Sequence, residues 1–400
     1  MAQISNRQVF LAHLAQTSAN PIGIEMVSAS GIHLMDKDGK AYIDMISGFS
    51  VCNIGHAHPK VVKAVQEQAA AYMHLIVYGE FIESPQTNYA KLLTDHLPET
   101  LNCVYFTNSG AEATEGAMKL AKRVSGRSKI IAFNQSYHGS TQGALSVMGD
   151  EYWRNAFRPL LPDIYHSEYG SEEAIDLIDK KTACVILETV QAESGIKTPP
   201  KEWLKAIRKK CYDQGVLLIL DEIQAGFGRT GTLWAFEQFG IVPDILLLGK
   251  ALGGGMPLGA FIASQQLMSS LTNNPVLGHI TTFGGHPVSC AAGRAAMEVL
   301  INGNYMVAIK KKEKILHEYL THPLIKEKRS AGLWMSLQFG SNELNQRIIH
   351  QCIKNGLITD WFLFAPDRLR IAPPLITTEE ELKNICKTIC SSIEMATADS

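Results

Sequence analysis

The chain has 400 residues, of which 46% are hydrophobic, and its formal net charge at pH 7 is −2. This length and composition suffice for a sizeable core divided into two or three lobes. The small net charge argues against nucleic acid or an anionic membrane as the main partner, and no apolar run approaches the length of a membrane span. We therefore expect a protein that acts on small molecules and has no nucleic-acid and no membrane partner.

Cysteine and histidine placement also excludes several classes of site. Eight cysteines are scattered without the paired spacing of a metal site or of a secretory disulfide framework. Residues 1–7 lack the charged-then-apolar layout of a secretion signal. His56 and His58 are spaced like metal ligands, but no third ligand gathers around them, and a structural role is favoured. We expect free thiols, no metal and a cytoplasmic protein.

Three regions follow one another along the chain. Residues 1–58 are expected to form a small N-terminal lobe with a hairpin turn at 36–40. In residues 59–293, strand-like and helical runs alternate, which favours a mostly parallel sheet covered by helices. The clearest strands are 128–133, 183–188, 216–221, 245–249 and 258–263. A helical stretch and a strand at 332–339 then indicate a C-terminal α+β lobe over 294–400.

Residues 104–121 run from a short aromatic and β-branched strand into a helix with a small apolar face. Ser109, Gly110 and Ala111 are predicted at the helix N-terminus, where free backbone N–H groups and the helix dipole attract an anion. Gly110 allows a phosphate to approach the backbone. The commoner meaning of such a turn is an ordinary Ser/Asn helix cap, and that alternative stays open.

Residues 216–231 contain a five-residue apolar strand that ends at Asp221 and continues into a glycine-rich loop. In a parallel sheet, neighbouring strands deliver their last residues to the same carboxyl edge, where open α/β folds place ligands. A buried carboxylate there can keep a pyridine nitrogen protonated. The alternative is that Asp221 and Glu222 cap the turn that follows.

Residues 245–255 end a second buried strand at Lys250, with three glycines close behind. Burial disfavours the ammonium form, so the pKa of this lysine should fall, and a neutral amine can form a Schiff base with an aldehyde cofactor. The alternative is a lysine that extends its ammonium group to solvent. Gly253–Gly255 could cradle a phosphate, but they follow the lysine and are expected to give the backbone room.

Together these segments resemble the class III, fold type I family of pyridoxal-phosphate-dependent aminotransferases, and the acetylornithine and ornithine aminotransferase branch in particular. The resemblance covers nearly the whole chain. It rests further on GKAYID, GHAHP, SYHGS, ETVQAESG, TFGGHP and LRIAPPL at 39–44, 55–59, 136–140, 188–195, 282–287 and 369–375. It implies an α/β fold with a mostly parallel seven-stranded sheet flanked by helices, a pyridoxal 5'-phosphate cofactor and a homodimer.

The resemblance also assigns roles to individual residues. Lys250 would form the internal aldimine and move the proton, and Asp221 would pair with the pyridinium nitrogen. The cofactor ring would lie between Tyr137 and Ile223. Phosphate contacts would come from Ser109, Gly110 and Ala111, and from Thr282 reaching the neighbouring subunit's cofactor. The other expected cofactor neighbours are His138, Glu188, Gln191 and Gln224.

For the substrate, the resemblance implies a carboxylate-binding Arg370 that Glu193 masks when an ω-amine donor binds. Phe49 and Tyr78 are placed with the substrate contacts. The expected reaction is ping-pong transfer of an amino group from N-acetylornithine or ornithine to 2-oxoglutarate.

Three positions depart from the family pattern. Phe49 stands where ornithine aminotransferases have a tyrosine, Ala192 replaces a glycine, and His286 replaces an asparagine. They keep open an ω-amino acid or amine:pyruvate transaminase. A family relative that isomerises or decarboxylates is a further alternative within the enzyme class. Outside it, the alternative is a phosphate- or nucleotide-binding module, which the pairing of Lys250 with Asp221 disfavours.

Overall fold

Fourteen β-strands form three sheets in the computed structural model, which describes residues 5–398. In chain order they are β1 Met26–Ser30, β2 His33–Asp36, β3 Ala41–Asp44, β4 Cys103–Thr107, β5 Lys129–Phe133, β6 Ile164–Ser167, β7 Thr182–Glu188, β8 Leu217–Asp221, β9 Ile245–Leu248, β10 Gly259–Ala263, β11 Glu327–Ser330, β12 Met335–Gln338, β13 Leu357–Ile358 and β14 Arg368–Ile371.

The helices cover these sheets. In chain order they are α1 Asn6–His13, α2 Ser47–Ser50, α3 Pro59–Ala71, α4 Ser84–Asp95, α5 Gly110–Ser125, α6 Gln142–Ser146, α7 Glu151–Arg154, α8 Glu172–Asp176, α9 Lys201–Gln214, α10 Gln265–Met268, α11 Pro287–Asn302, α12 Tyr305–Tyr319, α13 Asn342–Lys354 and α14 Glu379–Ala398. Short 3-10 helices lie at Asn155–Phe157, Ala235–Phe239, Lys250–Gly253 and Ser269–Thr272. Among residues 5–398, no helix is long and apolar enough to cross a membrane.

The central sheet has seven strands in the order β4-β10-β9-β8-β7-β5-β6. The last five are mutually parallel, whereas β10 runs antiparallel to both β4 and β9. Strands β7, β9 and β10 are buried along their whole length, as expected of apolar runs covered on both faces. The predicted mostly parallel α/β sheet is confirmed, and the predicted strand ends differ from these bounds by one residue at most.

Strand β6 was not anticipated. It lies at one edge of the sheet, where only Ser167 is fully buried. An edge strand with exposed positions lacks the continuous apolar run that identified its neighbours.

Two smaller sheets complete the fold. Strands β1, β2 and β3 form an antiparallel meander, and the predicted hairpin turn lies between β2 and β3. The short strand β13, more than 300 residues later, pairs in parallel with β3. N-terminal and C-terminal parts of the chain therefore share one sheet.

The third sheet has the antiparallel order β11-β12-β14. The strand predicted at 332–339 is shorter than expected. Ala331 donates to the Trp334 carbonyl at 2.9 Å and Gly332 has a φ of 68°, so these residues form a turn before β12.

Candidate active site

A cavity of about 290 Å³ lies at the carboxyl ends of β7, β8 and β9. Glu188 is the last residue of β7 and faces Asp221, the last residue of β8, in the strand register. Lys250 follows the end of β9 by two residues. The cavity is lined by Ser109, Gly110, Ala111, Tyr137, His138, Gly139, Ser140, Glu188, Val190, Ala192, Asp221, Ile223, Gln224, Ala225 and Lys250. The structure therefore brings together most of the predicted cofactor-binding residues.

Lys250 begins a 3-10 helix and has a φ of 48°, a left-handed conformation that is uncommon and strained for a residue with a Cβ. Its Nζ donates to Gln224 Oε1 at 2.7 Å. The side chain reaches the cavity but is otherwise enclosed by protein. This burial lowers the pKa of Lys250, while the nearby Glu193 carboxylate opposes the shift. The amine is thus easier to deprotonate than a surface lysine.

Asp221 is buried beside an equally buried histidine. Its Oδ2 lies 2.7 Å from His138 Nδ1, and its Oδ1 accepts a hydrogen bond from the Ile223 N–H at 2.9 Å. The parallel strands fix the carboxylate from below, and the His138 ring fixes it from the side. A carboxylate held this way can pair with a cationic ring nitrogen without moving.

Glu188 lies next to this pair and holds the loops around the cavity. Its oxygens accept hydrogen bonds from the Tyr137 N–H at 3.0 Å and the Ala192 N–H at 2.9 Å. Burial raises the pKa of Glu188 to about 7, an effect that His138 partly opposes. Glu188 therefore carries a proton much more readily than a surface glutamate does.

Helix α5 points its N-terminus at the same cavity. Ser109 caps the helix, since its Oγ accepts from the Glu112 N–H at 3.2 Å, and Gly110 is the first helical residue. A Cβ at Gly110 would stand 2.7 Å from Ile223 Cδ1, so only glycine lets Ile223 pack this close to the helix start. The helix is both capped and open to an anion, so the two sequence interpretations of this turn are compatible.

The polar atoms around the cavity fit a phosphorylated aldehyde that carries a ring nitrogen. Among the described residues, the buried Gln224 Nε2 and His138 Nε2 lack a hydrogen-bond partner. Buried polar groups without protein partners are rare, and here both lie on the cavity wall. A lysine of lowered pKa, a fixed carboxylate and a helix N-terminus supply the three contacts that pyridoxal phosphate requires.

Arg370 and Glu193 form a buried ion pair close to Lys250. Arg370 Nη2 lies 2.9 Å and 2.7 Å from the two Glu193 carboxylate oxygens, and Arg370 is 1% exposed. Glu193 also accepts from the Leu363 N–H at 3.0 Å. Burial alone would raise the pKa of Glu193, but Arg370 outweighs it and the pKa is lowered. The pair is therefore charged at neutral pH.

Two aromatic rings pack against the Arg370 guanidinium. The Phe49 and Phe362 ring centroids lie 5.2 Å and 4.1 Å from its Cζ. Phe49 belongs to α2, in which Ser47–Ser50 all have positive φ, a left-handed turn. Phe362 was not predicted, and the only sequence feature that could have indicated it is the aromatic run at 361–364.

Besides Arg370, Glu193 and Phe49, three predicted residues lie outside the lining of the cavity that Lys250 reaches. Tyr78 borders a second cavity, together with Thr281. Thr282 is exposed on the same loop. Gln191 is buried and donates to the Asn134 carbonyl at 2.9 Å. The roles predicted for these three residues stay predictions.

The Asp221–Glu222 pair does not act as one cap of the turn that follows, since only Asp221 accepts from that turn, through the Ile223 N–H. Glu222 is buried and accepts from the Ala235 and Phe236 N–H groups at 2.7 Å and 2.6 Å. It therefore anchors the start of the 3-10 helix at Ala235–Phe239. Asp221 faces the cavity, so the two adjacent carboxylates have different surroundings and different uses.

Comparison with known proteins agrees with this geometry. Residues 14–393 match the family model described as aminotransferase class-III. The chain is 38% identical to the acetylornithine aminotransferase of Bacillus anthracis over 391 residues, 95% of this chain and 98% of the relative. It is 37% identical to the acetylornithine aminotransferase of Methanopyrus kandleri over 375 residues, 92% of this chain and 94% of the relative.

Solved structures give the same result. The chain superposes with a TM-score of 0.90 and 27% identity on the ornithine aminotransferase of Toxoplasma gondii, over 98% of this chain and 93% of that one. In that crystal structure PLP partially occupies the active site. The predicted cofactor and fold type I architecture are confirmed. The chain belongs to the class III aminotransferase family and is a pyridoxal-phosphate-dependent transaminase.

Proposed function

We propose that the protein transfers the ω-amino group of N-acetylornithine or ornithine to 2-oxoglutarate in a ping-pong cycle. The buried Arg370–Glu193 pair beside Lys250 carries this proposal, because an ω-amine donor and a dicarboxylic acceptor make opposite demands on one pocket. The similarity to acetylornithine aminotransferases supports the choice of donor. The similarity to ornithine aminotransferase structures supports it further.

Each half of the cycle uses the ion pair differently. With Glu193 in place, the positive charge of Arg370 is neutralised. The arginine then does not bind a carboxylate of the amino donor. When 2-oxoglutarate binds, one of its carboxylates replaces Glu193 at the planar guanidinium fork, which suits bidentate recognition. Phe49 and Phe362 pack against the guanidinium and hold it in place. Glu193 is therefore the member of the ion pair that moves. The alternative is an ion pair that stays closed throughout.

The chemical step takes place at Lys250, away from the Arg370–Glu193 pair. Pyridoxal phosphate supplies an aldehyde for the amine and a ring that accepts electrons. Lys250 takes a proton from the carbon that bears the amine and returns it during the transfer, which its lowered pKa favours. When the cofactor is bound, Asp221 would keep its ring nitrogen protonated. Gln224 would donate to its ring oxygen, and Tyr137 and Ile223 would pack against its ring.

Ser109, Gly110 and Ala111, at the start of α5, would hold the phosphate. We propose that His138 and Glu188 orient Asp221 and the Tyr137 loop. Phe49 lies in the substrate pocket beside Arg370. Tyr78, which borders the second cavity, is the remaining proposed substrate contact.

We further propose a homodimer in which Thr282 completes the partner's phosphate site. Exposed apolar side chains lie close to Thr282 in the chain, at Ile280 and Phe283, and large exposed apolar patches mark interaction surfaces. Phe283 is 54% exposed and its ring lies 4.9 Å from that of His74, while Ile82 is 96% exposed. Sedimentation velocity tests the dimer, and a Thr282→Ala variant that binds the cofactor as tightly as the parent would contradict the shared site.

The division into residues 1–58, 59–293 and 294–400, and a cytoplasmic location, complete the proposal. The middle region contains all seven strands of the central sheet, which supports treating it as the cofactor-binding domain. The pairing of β13 with β3 joins the first and third regions in one sheet. This supports grouping these two regions together, apart from the middle region.

A pyruvate-dependent ω-amino acid transaminase is the second candidate. Phe49 has no hydroxyl to bind a substrate carboxylate, and His286, which stacks on His74 at 5.7 Å, replaces the family asparagine. Both departures favour a smaller acceptor that needs fewer polar contacts.

Single-turnover measurement of each half-reaction separates the two candidates. The cofactor absorbance is followed after mixing with N-acetylornithine, ornithine or β-alanine, and then with 2-oxoglutarate or pyruvate. We expect the fastest pair to be an ornithine-type donor with 2-oxoglutarate. Faster reaction of pyruvate than of 2-oxoglutarate would refute the first proposal and support the second.

A further inference from the structure

Asn108 joins the start of α5 to the loop that carries Thr282. Its side-chain Nδ2 donates to Glu112 Oε2 at 2.8 Å and to Thr281 Oγ1 at 3.2 Å. Its backbone N–H donates to the same Glu112 oxygen at 2.8 Å, so the backbone and the side chain of Asn108 share one acceptor. The next residue, Ser109, begins the turn that is proposed to hold the cofactor phosphate. One side chain therefore contacts both a phosphate-binding helix start and the residue before Thr282.

The loop is also closed on the other side of Thr282. Thr281 Oγ1 accepts a second hydrogen bond, from the Gly284 N–H at 2.7 Å. A Cβ at Gly284 would stand 2.7 Å from the Phe106 carbonyl oxygen, so the loop packs directly on the backbone of β4. The Thr281 hydroxyl is thus the point at which the loop is tied both to Asn108 and to itself.

Thr282 is exposed between these anchored neighbours, and it is not among the residues that line the cavity of its own subunit. The loop is anchored once more before Thr281, where the Tyr105 hydroxyl donates to the His279 carbonyl at 2.6 Å. A side chain on an anchored loop has little backbone freedom to lose when it binds, which lowers the entropic cost of a contact with another chain. The anchoring therefore presents Thr282 to a neighbouring subunit.

We propose that Thr281 and Asn108 are positioning residues for the cofactor phosphate of the neighbouring subunit. Their hydrogen bonds hold the loop in the one arrangement in which the Thr282 hydroxyl reaches that phosphate. This inference rests on the homodimer with a shared phosphate site proposed above. It has a consequence that a purely structural role lacks, because Thr281 then controls cofactor binding in the partner's site and not in its own.

Binding of pyridoxal 5'-phosphate to the apoenzyme is the first test, measured by fluorescence titration. Thr281→Val keeps the shape of the side chain but removes the acceptor, and we expect it to weaken binding about tenfold, as loss of the hydrogen bonds that fix the loop does. Thr281→Ser keeps the hydroxyl and should change binding less than about twofold. Equal weakening in the two variants would overturn the proposal.

Pyridoxal, which lacks the phosphate, is the matched ligand. Its binding should be the same in the parent and in Thr281→Val, because Lys250 and the ring contacts are unchanged. Weakening of pyridoxal by the same factor as the phosphorylated cofactor would show a general disturbance of the site and refute a role at the phosphate. Thermal unfolding checks each apoenzyme, and Thr281→Ala, which removes the same acceptor, replaces Thr281→Val if that variant does not fold.

Mixed dimers identify which of the two sites is affected. One subunit carries Lys250→Ala, so only the other subunit retains a cofactor after borohydride reduction, and the labelled Lys250 peptide is quantified at limiting cofactor. With Thr281→Val on the Lys250→Ala subunit, the intact site faces the altered loop and should be labelled less. With Thr281→Val on the subunit that keeps Lys250, labelling should equal that of the parent. Loss of labelling in the second arrangement, or in both, would overturn the proposal.

Thr282→Ala in the same two arrangements tests the shared site separately. If it has no effect in either arrangement, the shared phosphate site is refuted, and the positioning role fails with it. If Thr282→Ala weakens the partner's site and Thr281→Val does not, the shared site stands and only the positioning role is refuted. Asn108→Ala should weaken both sites, because Asn108 also holds Glu112 at the start of its own α5.

Discussion

The two sides of the active site are built in different ways. The lysine side, comprising Lys250, Asp221, Glu188 and the start of α5, lies at adjacent strand ends of one sheet and at one helix terminus. The arginine side, comprising Arg370, Glu193, Phe49 and Phe362, brings together β14, two loops and a left-handed turn. The register of the parallel strands fixes the positions of the residues on the lysine side. The arginine side depends instead on how segments that are far apart in the chain pack together. The first suits chemistry common to a family, and the second suits the choice of substrate.

Lys250→Ala should have the largest effect. Turnover should fall by several orders of magnitude because both the reactive amine and the proton carrier disappear. Lys250→Arg is the matched variant, since it keeps the positive charge but lacks a primary amine, and it should be equally inactive. Steady-state assays measure the loss, and thermal unfolding checks the fold. Near-normal turnover in either variant would refute the role of the lysine side.

Asp221→Asn should have the next largest effect, on the order of 10²–10³-fold in turnover, as removal of one preorganised charge typically does. The isosteric amide keeps the packing but not the negative charge at the ring nitrogen. Glu222→Gln is the control, because Glu222 is equally buried but anchors the 3-10 helix at Ala235–Phe239. It should lower the melting temperature more than the turnover rate. Similar catalytic losses in both variants would show that buried charge, and not its position, is responsible.

The lysine side was largely predictable from sequence. The buried strands that end at Asp221 and near Lys250 can each be recognised from a local apolar pattern. In a parallel sheet, the carboxyl ends of neighbouring strands lie at the same edge, so the two residues are expected to meet. The helix start at Ser109–Ala111 is likewise a local pattern. These predictions required only that neighbouring strands pair, which they do in the order β7-β8-β9.

The arginine side was predictable only in part, through the family resemblance that indicated Arg370 and Glu193. The contact of Phe362 with Arg370 depends on how a loop folds onto β14, which no local pattern specifies. The turn at Ser47–Ser50 has four consecutive positive φ values, which residue preferences alone would reject. Side-chain hydrogen bonds stabilise it: Asp44 accepts locally from Ser47 and Gly48 at 2.9 Å and 3.1 Å, and Ser47 Oγ donates to the distant Ala372 carbonyl at 2.7 Å.

Arg370→Ala should slow the 2-oxoglutarate half-reaction and spare the donor half-reaction. A charge-assisted hydrogen bond is worth about 1.5–3 kcal/mol, which corresponds to roughly 10- to 150-fold. Arg370→Lys retains the charge but not the bidentate fork, so it should recover only part of the rate. Single-turnover absorbance changes measure each half separately. An unchanged 2-oxoglutarate reaction would point instead to the pyruvate-dependent candidate.

Glu193→Gln should have a smaller effect, of opposite sign in the two halves. The amide keeps the shape of the side chain but no longer neutralises Arg370, so glutamate should react a few-fold faster through its α-amino group. The ω-amine donor should lose preference by a similar factor. The ratio of the two single-turnover rates is the measurement. Equal slowing of both halves would favour an ion pair that stays closed.

Phe49→Leu should have the smallest effect and sharpens the comparison most. One aromatic contact of the guanidinium is lost while that of Phe362 remains, so the expected loss is about 0.5–1 kcal/mol, roughly two- to fivefold, on the 2-oxoglutarate half alone. Phe49→Tyr keeps the ring and adds the hydroxyl that ornithine aminotransferases have at this position, so it should preserve the rate or raise it. If Phe49→Leu slowed both halves equally, the left-handed turn would be acting on the lysine side as well. The lysine side and the arginine side would then not be independent. Residues that determine the choice of substrate would also affect the chemical step.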